Sequence, residues 1–366
     1  MPDRGGDGGH GGHGVPVARR IGDVTSAPPV PAADPFPRST SPTADVLAAQ
    51  RAHLRAMLAA GELDVPLPGG GRTAERWAAL ADWGSADLVL GRLAEGHTDA
   101  VAVLAEAGVP VPDDALLGVW ASASEGTGLE AVATGDGGLR VTGTLRYASG
   151  ARVLDAALVT ATEEGGRPHL VLLDVRGTGV TPRPGTWAAV GMDDSDSLDV
   201  VVDGVDVPAA AVVGPPGFYA GRPGLHVGGL GVAAVWWGGA RGVVRALTAS
   251  LARGEAAGRA PTPHQLVHLG AAASAVARGQ ALLAEAAGVV DADPTGDRTT
   301  LALRVRHEVD QVVEEVLRRS ARATGATPLC RDAGIARRAA DLAVYVRQQH
   351  AEGDLERLGR AVLDAA

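Results

Sequence analysis

Hydrophobic spacing changes twice along this chain, and those changes restrict the fold more than any single motif does. From Thr43, ADVLAAQRAHLRAMLAAG repeats apolar residues at three- and four-residue intervals and stops at Gly61, which is the pattern of an amphipathic helix. After the loop VPLPGGGRT the spacing resumes in ERWAALADWGSADLVLGRLAEGHTDAVAVLAEAG, read as two or three helices separated at Gly84 and Gly96. Past Pro112 the pattern differs. LRVTGTLRY, AALVTATEE, HLVLLDV and SLDVVVDGVDV are short, rich in Val, Leu and Thr, and bounded by Gly or Asp turns. They lie too close together to hold helices between them, so 116–218 is expected to form an antiparallel β-barrel or sandwich. Helical spacing then returns and predicts helices at 227–253, 263–288, 298–324, 332–348 and 352–365. The expected class is therefore α+β: a helical region over 44–115, a β region over 116–218, and a C-terminal helical bundle over 219–366. Residues 1–43, rich in Gly, Pro, Ser and Asp, are expected to be a disordered tail. Its GGHGGHG run carries His10 and His13, too few ligands to make a metal site.

Hydrophobic residues make up 46% of the chain but aromatics only 3%, so the core must be built from small aliphatic side chains. The net charge is −10, every basic side chain is Arg, and no Arg-rich stretch is interleaved with aromatics. That excludes a nucleic-acid partner, although a few local arginines and helix N-termini can still bind an anionic cofactor. A single cysteine, Cys330, permits no internal disulfide and fits a reducing cytoplasm. No apolar run follows the first charged residues, so no secretory signal is expected. The longest uncharged stretch, Pro223–Ala240, reads as a buried helix and not as a membrane span.

Most sharp motifs fail. Gly126–Ala131 and Gly229–Ala234 fit a loose G-x-G-x-x-A pattern, but neither has a preceding strand and a following helix. His307–Glu308 starts like a zincin motif, yet Gln311 stands where the second His belongs. Cys330 reads as a lone buried thiol. No G-x-S-x-G elbow occurs.

Four weaker segments keep a common order. Leu145–Ala161, preceded by Gly143, contains Tyr147, Ala148 and Ser149; GVWASASEGTGLEA lies upstream; DGVDVPAAAVVG and Arg222–Pro223 lie downstream. Together, over about 44–366, they resemble the acyl-CoA dehydrogenase family. There Tyr147 takes the place of the tryptophan and Ser149 that of the threonine in the family's G-x-K-x-W-I-T-N strand. The resemblance implies an FAD whose N5 is hydrogen-bonded by Ser149 and whose ring is flanked by Tyr147. Trp120, Ala121 and Ser122 would line its pyrimidine edge, and Arg222 would open the first long bundle helix beside the substrate. The substrate implied is an acyl-CoA or related small molecule, in lipid metabolism. An electron-transfer partner and a homodimer or homotetramer are implied as well.

Three departures narrow that picture. The family's R-x-x-F-G positions hold Gly254 and Ala257 here, with Arg253 adjacent, and its G-G-x-G-F loop has become TGATPLC around Gly325. Counting from Arg331–Asp332–Ala333, the usual catalytic glutamate is replaced by Ala340, with Asp341 next to it. Dehydrogenation needs a carboxylate in an apolar pocket, where desolvation raises its pKa. Asp341 and Glu255, the latter on the first long bundle helix, are the alternative candidates for that base. A surface carboxylate is the plainer reading of each. The leading expectation is an acyl-CoA dehydrogenase-like oxidoreductase acting on CH-CH groups. The alternatives are a monooxygenase of the same fold, taking reduced flavin (FMN possible) from a flavin reductase, and a non-catalytic partner subunit.

Overall fold

The computed structural model describes residues 41–122 and 124–364, so His10, His13 and nearly all of the expected tail lie outside the described residues. Three helices open the fold: α1 (Ala44–Ala59), α2 (Thr73–Ala86) and α3 (Leu88–Glu106). The break between α2 and α3 is at Asp87, whose carboxylate accepts the Leu90 N–H at 2.8 Å and caps α3. Gly84 and Gly96, expected to separate helices, instead lie inside α2 and α3. The correction has a steric reason at Gly84. A Cβ there would sit 2.5 Å from the Val235 carbonyl oxygen, so the glycine admits another helix and does not end its own.

That other helix is α5 (Gly224–Ala256). It contains the uncharged run expected to be buried, and Val235, Trp236, Gly238 and Ala240 are buried within it. Gly229–Ala234 falls inside α5, far from any strand-to-helix phosphate loop. Gly238 meets Ala81 of α2 so closely that a Cβ would stand 2.2 Å from the Ala81 carbonyl oxygen.

Eight strands follow the first helices: β1 (Leu117–Trp120), β2 (Gly128–Ala133), β3 (Leu139–Ala148), β4 (Ala156–Thr162), β5 (Pro168–Asp174), β6 (Val180–Arg183), β7 (Leu198–Val207) and β8 (Val212–Val213). They form one sheet in the order β6-β7-β3-β2-β4-β5-β8, with β1 attached to β4. The four strand segments singled out in the sequence become β3, β4, β5 and β7, with β1, β2, β6 and β8 added between and around them, and the sheet is mixed and not antiparallel throughout. Both β1 and β2 run parallel to β4, β1 along its first half and β2 at its end. Parallel pairing needs a long crossover, and the β2–β3 hairpin supplies it between β1 and β4. β3 is bent by two register shifts against β7, at Val141/Gly143 and Leu145/Ala148, the signature of β-bulges.

The short α4 (Phe218–Gly221) precedes α5. The bundle continues with α6 (Pro263–Ala292), α7 (Thr299–Thr324), α8 (Ala326–Arg331), α9 (Ala333–Tyr345) and α10 (Ala351–Asp364). Thr262 and Gln265 form a capping box at the start of α6. Among the described residues α6 is the one helix long and apolar enough to cross a membrane. Ala272, Ala275, Gly279, Leu283 and Ala286 make a buried stripe along it, and Gly279 lies against the Trp237 ring. Leu266, Val267 and Val289 remain exposed. Cys330, expected to be buried, is exposed on α8, because the short helix packs only loosely on its neighbours.

The α2–α5 contact leaves no room for a side chain. Replacing Gly238 with valine is expected to cost about 3 kcal/mol or more, measured as a lower urea midpoint with an unchanged slope.

Candidate active site

The ends of β1 and β3 meet where the sheet faces the helices. Trp120, the last residue of β1, points inward, and its indole N–H donates to the Ser149 carbonyl at 2.9 Å. Ser149 is buried, and its hydroxyl lies 2.8 Å from that of Ser197. Ser197 in turn lies 2.7 Å from the Ser195 hydroxyl, which donates to the Met192 carbonyl at 2.6 Å. The Met192 N–H donates to Asp341 Oδ1 of α9 at 2.6 Å. A continuous hydrogen-bonded path thus ties the strand end to a helix on the far side of the 192–197 loop. Ala148 is buried against β7. Tyr147 occupies the bulge with φ +59°. Its ring is half exposed and meets Trp187 edge-on at 6.4 Å. Ala121 is half-buried, and Ser122 is exposed and bonded to Ser124.

A charged stripe on α3 faces this strand end. Arg92, Glu95 and Asp99 follow one another at i, i+3 and i+7, so they share a helix face. Arg92 lines a crevice of about 10 Å³ together with Gly96, Trp120 and Ser149. Its guanidinium pairs with Glu95 Oε2 at 2.7 Å. Burial raises the Glu95 carboxyl above its ordinary range, and Arg92 offsets this only in part. Burial is the largest influence on Arg92 and alone would lower it, but Glu95, Tyr345 and Asp99 together outweigh it and raise the guanidinium's pKa. Around the pair stand Trp236 of α5, Arg306 of α7 and Tyr345 of α9. Trp236 and Tyr345 meet edge-to-face at 6.2 Å, and Arg306 lies 4.5 Å over the Trp236 ring. Burial pushes the Tyr345 phenol up, and the Glu95 charge adds to the shift. Arg92 favours the ionised phenol, although no well-aligned hydrogen bond joins them. Among the described residues, Arg92 Nε, Trp236 Nε1 and Tyr345 Oη are all buried without a hydrogen-bond partner. Native interiors rarely leave such groups unmade, and perturbed ionisable groups gather where chemistry is done.

The other expected residues fall apart in space. Glu255 is exposed in the last turn of α5, as the plainer reading of it had supposed. Asp341 is buried, against that same reading. Burial pushes its carboxyl up to about 6, with the Met192 N–H and Arg337 opposing. Arg222 is buried, pairs with Glu106 at 3.0 Å and lies 5.3 Å over the Tyr219 ring, so its charge is already engaged. Ala340 has its carbonyl against Gly191, where a Cβ would approach to 2.1 Å. Among the described residues the crevice lining holds no carboxylate. Leu93 separates it from a wider cavity of about 400 Å³ that includes Gln50, His53, Asp194 and Arg337. Sequence reasoning missed Arg92, Glu95, Trp236, Arg306 and Tyr345. The first two left a trace, since charges at one helical spacing in an otherwise apolar helix mark a buried polar face.

No protein-family model matches the chain, and no curated protein does. Solved structures share its fold, that of the acyl-CoA dehydrogenase-like proteins. TdsC from Paenibacillus sp. A11-2, a dibenzothiophene monooxygenase seen with FMN and indole, superposes with TM-score 0.70 at 21% identity, over 88% of this chain and 97% of that one. The HsaA monooxygenase from M. tuberculosis gives 0.69 at 18%, over 87% and 94%. XiaF from Streptomyces sp., in complex with FADH2 and glycerol, gives 0.67 at 18%, over 89% of each.

The raised Asp341 carboxyl has a consequence for stability. An ordinary aspartate titrates near about 3.9, so the folded state holds this proton more tightly than the unfolded chain. Its contribution is full below about pH 4 and is lost as pH climbs through about 6. Asp341→Asn keeps a neutral acceptor for Met192 and should remove that loss. At pH 8 the variant is expected to exceed the parent by on the order of 1–2 kcal/mol, and at pH 4 to match it. Parallel profiles from urea unfolding at both pH values would sink the assignment.

Proposed function

We propose that this chain is a flavin-dependent monooxygenase, using reduced FMN or FAD from a separate flavin reductase, and oxygen, on a small organic substrate. The carrying observation is the strand-end crevice. It offers a hydroxyl, an indole and a guanidinium but no carboxylate, so α-proton abstraction from a thioester has no base there. The FMN- and FADH2-bound relatives of the same fold support the same choice.

The residues suit a flavin at the rim. Tyr147 presents a half-exposed aromatic face, with Ala121 and the Ser122 hydroxyl alongside, and Ser149 offers its hydroxyl at the strand end. The crevice behind them, about 10 Å³, holds no more than a water and excludes bulk solvent. When bound, reduced flavin supplies the electrons that activate oxygen. Trp236 and Tyr345 are buried and packed edge-to-face against each other. Arg92 fixes Glu95 Oε2 behind the crevice lining, so this carboxylate is engaged by the guanidinium and does not reach the crevice. The exposed apolar face of α6 suits self-association into a dimer or tetramer.

The test supplies the purified chain anaerobically with reduced FMN or FAD, then oxygen, with indole as the probe. Binding of reduced flavin and oxygenated product are expected. Ser149→Ala should weaken flavin binding about tenfold. Oxidised FAD bleached by an acyl-CoA, with the bleaching lost in Asp341→Asn or Glu255→Gln, would restore the dehydrogenase reading. A chain that binds no flavin in either state would be the partner subunit instead.

A further inference from the structure

On another side of α3, distinct from the face that carries Arg92 and Glu95, lies a cavity of about 350 Å³. Its polar wall is made by Arg76 of α2 and by His97 and Thr98 of α3, with Arg72 and Asp64 also contributing. Arg76 is buried, yet among the described residues no carboxylate is within ion-pair distance of it. Its guanidinium donates only to the Pro66 carbonyl at 3.2 Å and, weakly, to the Thr98 hydroxyl at 3.4 Å. Desolvation lowers its pKa, and Asp99 and Glu95 offset that only from further away. A buried guanidinium left in this state is costly unless an anion completes it.

His97 adds a second donor. Its Nδ1 accepts the Leu117 N–H at 3.1 Å, which fixes the proton of the neutral ring on Nε2. Burial lowers the imidazole to about 4, so it stays neutral at physiological pH. The cavity therefore offers one buried positive charge and a neutral N–H donor. The rest of its wall is apolar, made by Leu63, Val65 and Val101.

We propose that this cavity is a binding site for a small organic carboxylate, separate from the site at the strand ends. The fork of Arg76 would take the carboxylate, His97 Nε2–H would add a further hydrogen bond, and the apolar wall would hold the hydrocarbon body. Inorganic phosphate matches less well. It brings no apolar body for Leu63, Val65 and Val101 to hold, and its second negative charge would meet Asp64 in the same wall.

Isothermal titration calorimetry of the full chain with sodium benzoate, and separately with inorganic phosphate, tests the assignment without flavin or turnover. Benzoate is expected to bind, with at least tenfold weaker binding in Arg76→Met and a smaller loss in His97→Gln. Arg76→Met also removes an uncompensated buried charge, so the ligand-free variant is expected to melt at or above the parent's Tm, which separates lost binding from lost folding. Heat from phosphate alone would overturn the carboxylate assignment. No heat from either probe, or benzoate binding indifferent to Arg76→Met, would overturn the site.

Discussion

The backbone contact between α2 and α5 is the constraint on which the remaining structure depends. Gly84 and Gly238 let two helices approach until peptide groups touch, with Val235 and Ala81 carbonyls where side chains would otherwise stand. Close approach maximises dispersion contacts between small residues, and a chain with so few aromatics must gain its packing this way. With α5 seated there, Trp236 is fully buried and points to the α3 stripe. The bundle's long helix therefore carries both the core and one wall of the buried polar cluster.

What gathers around that wall is electrostatic and unbalanced. Arg92 and Glu95 neutralise each other, Arg306 stacks on an indole, and Tyr345 has no aligned partner for its hydroxyl. A buried polar group without a partner costs more than a made bond contributes. Here three such groups stand together among the described residues, while the surrounding core is aliphatic. The serine path from Ser149 to the Met192–Asp341 contact gives the same region its rigidity. It joins a strand end, a loop and α9 through short hydrogen bonds, so the strand end cannot shift without disturbing the helix.

Much of the fold was legible because spacing alone dictates it. The limits of α6 and α7 follow from Pro263 and Gly325, and the alternating strands announce themselves through Val and Thr. Gly84 was misleading because a glycine's freedom to break a helix and its ability to admit another helix look alike in sequence, and at Gly96 a Cβ would meet only the Arg92 side chain of the same helix. The parallel pairing of β1 and β2 with β4 was hidden because it depends on partners distant in the chain. At the site, Tyr147, Trp120 and Ser149 could be singled out from a local pattern, and the structure brings the last two into contact. Tyr345 could not, since 250 residues separate it from Glu95 and only tertiary packing makes them neighbours. Asp341 was identified for one role and found tied to the backbone of a loop, a partnership no local pattern encodes.

Tyr147 carries one more implication. A bulky side chain in the left-handed region costs roughly 1–2 kcal/mol, and a glycine or asparagine would sit there with less strain. Random mutation would therefore tend to relax this position, and relaxation would make the protein more stable. A lineage that retains the ring does so against that drift. Stability and ring retention pull in opposite directions at a single residue, so a chain that exchanges the ring at position 147 for glycine or asparagine should be the sturdier one.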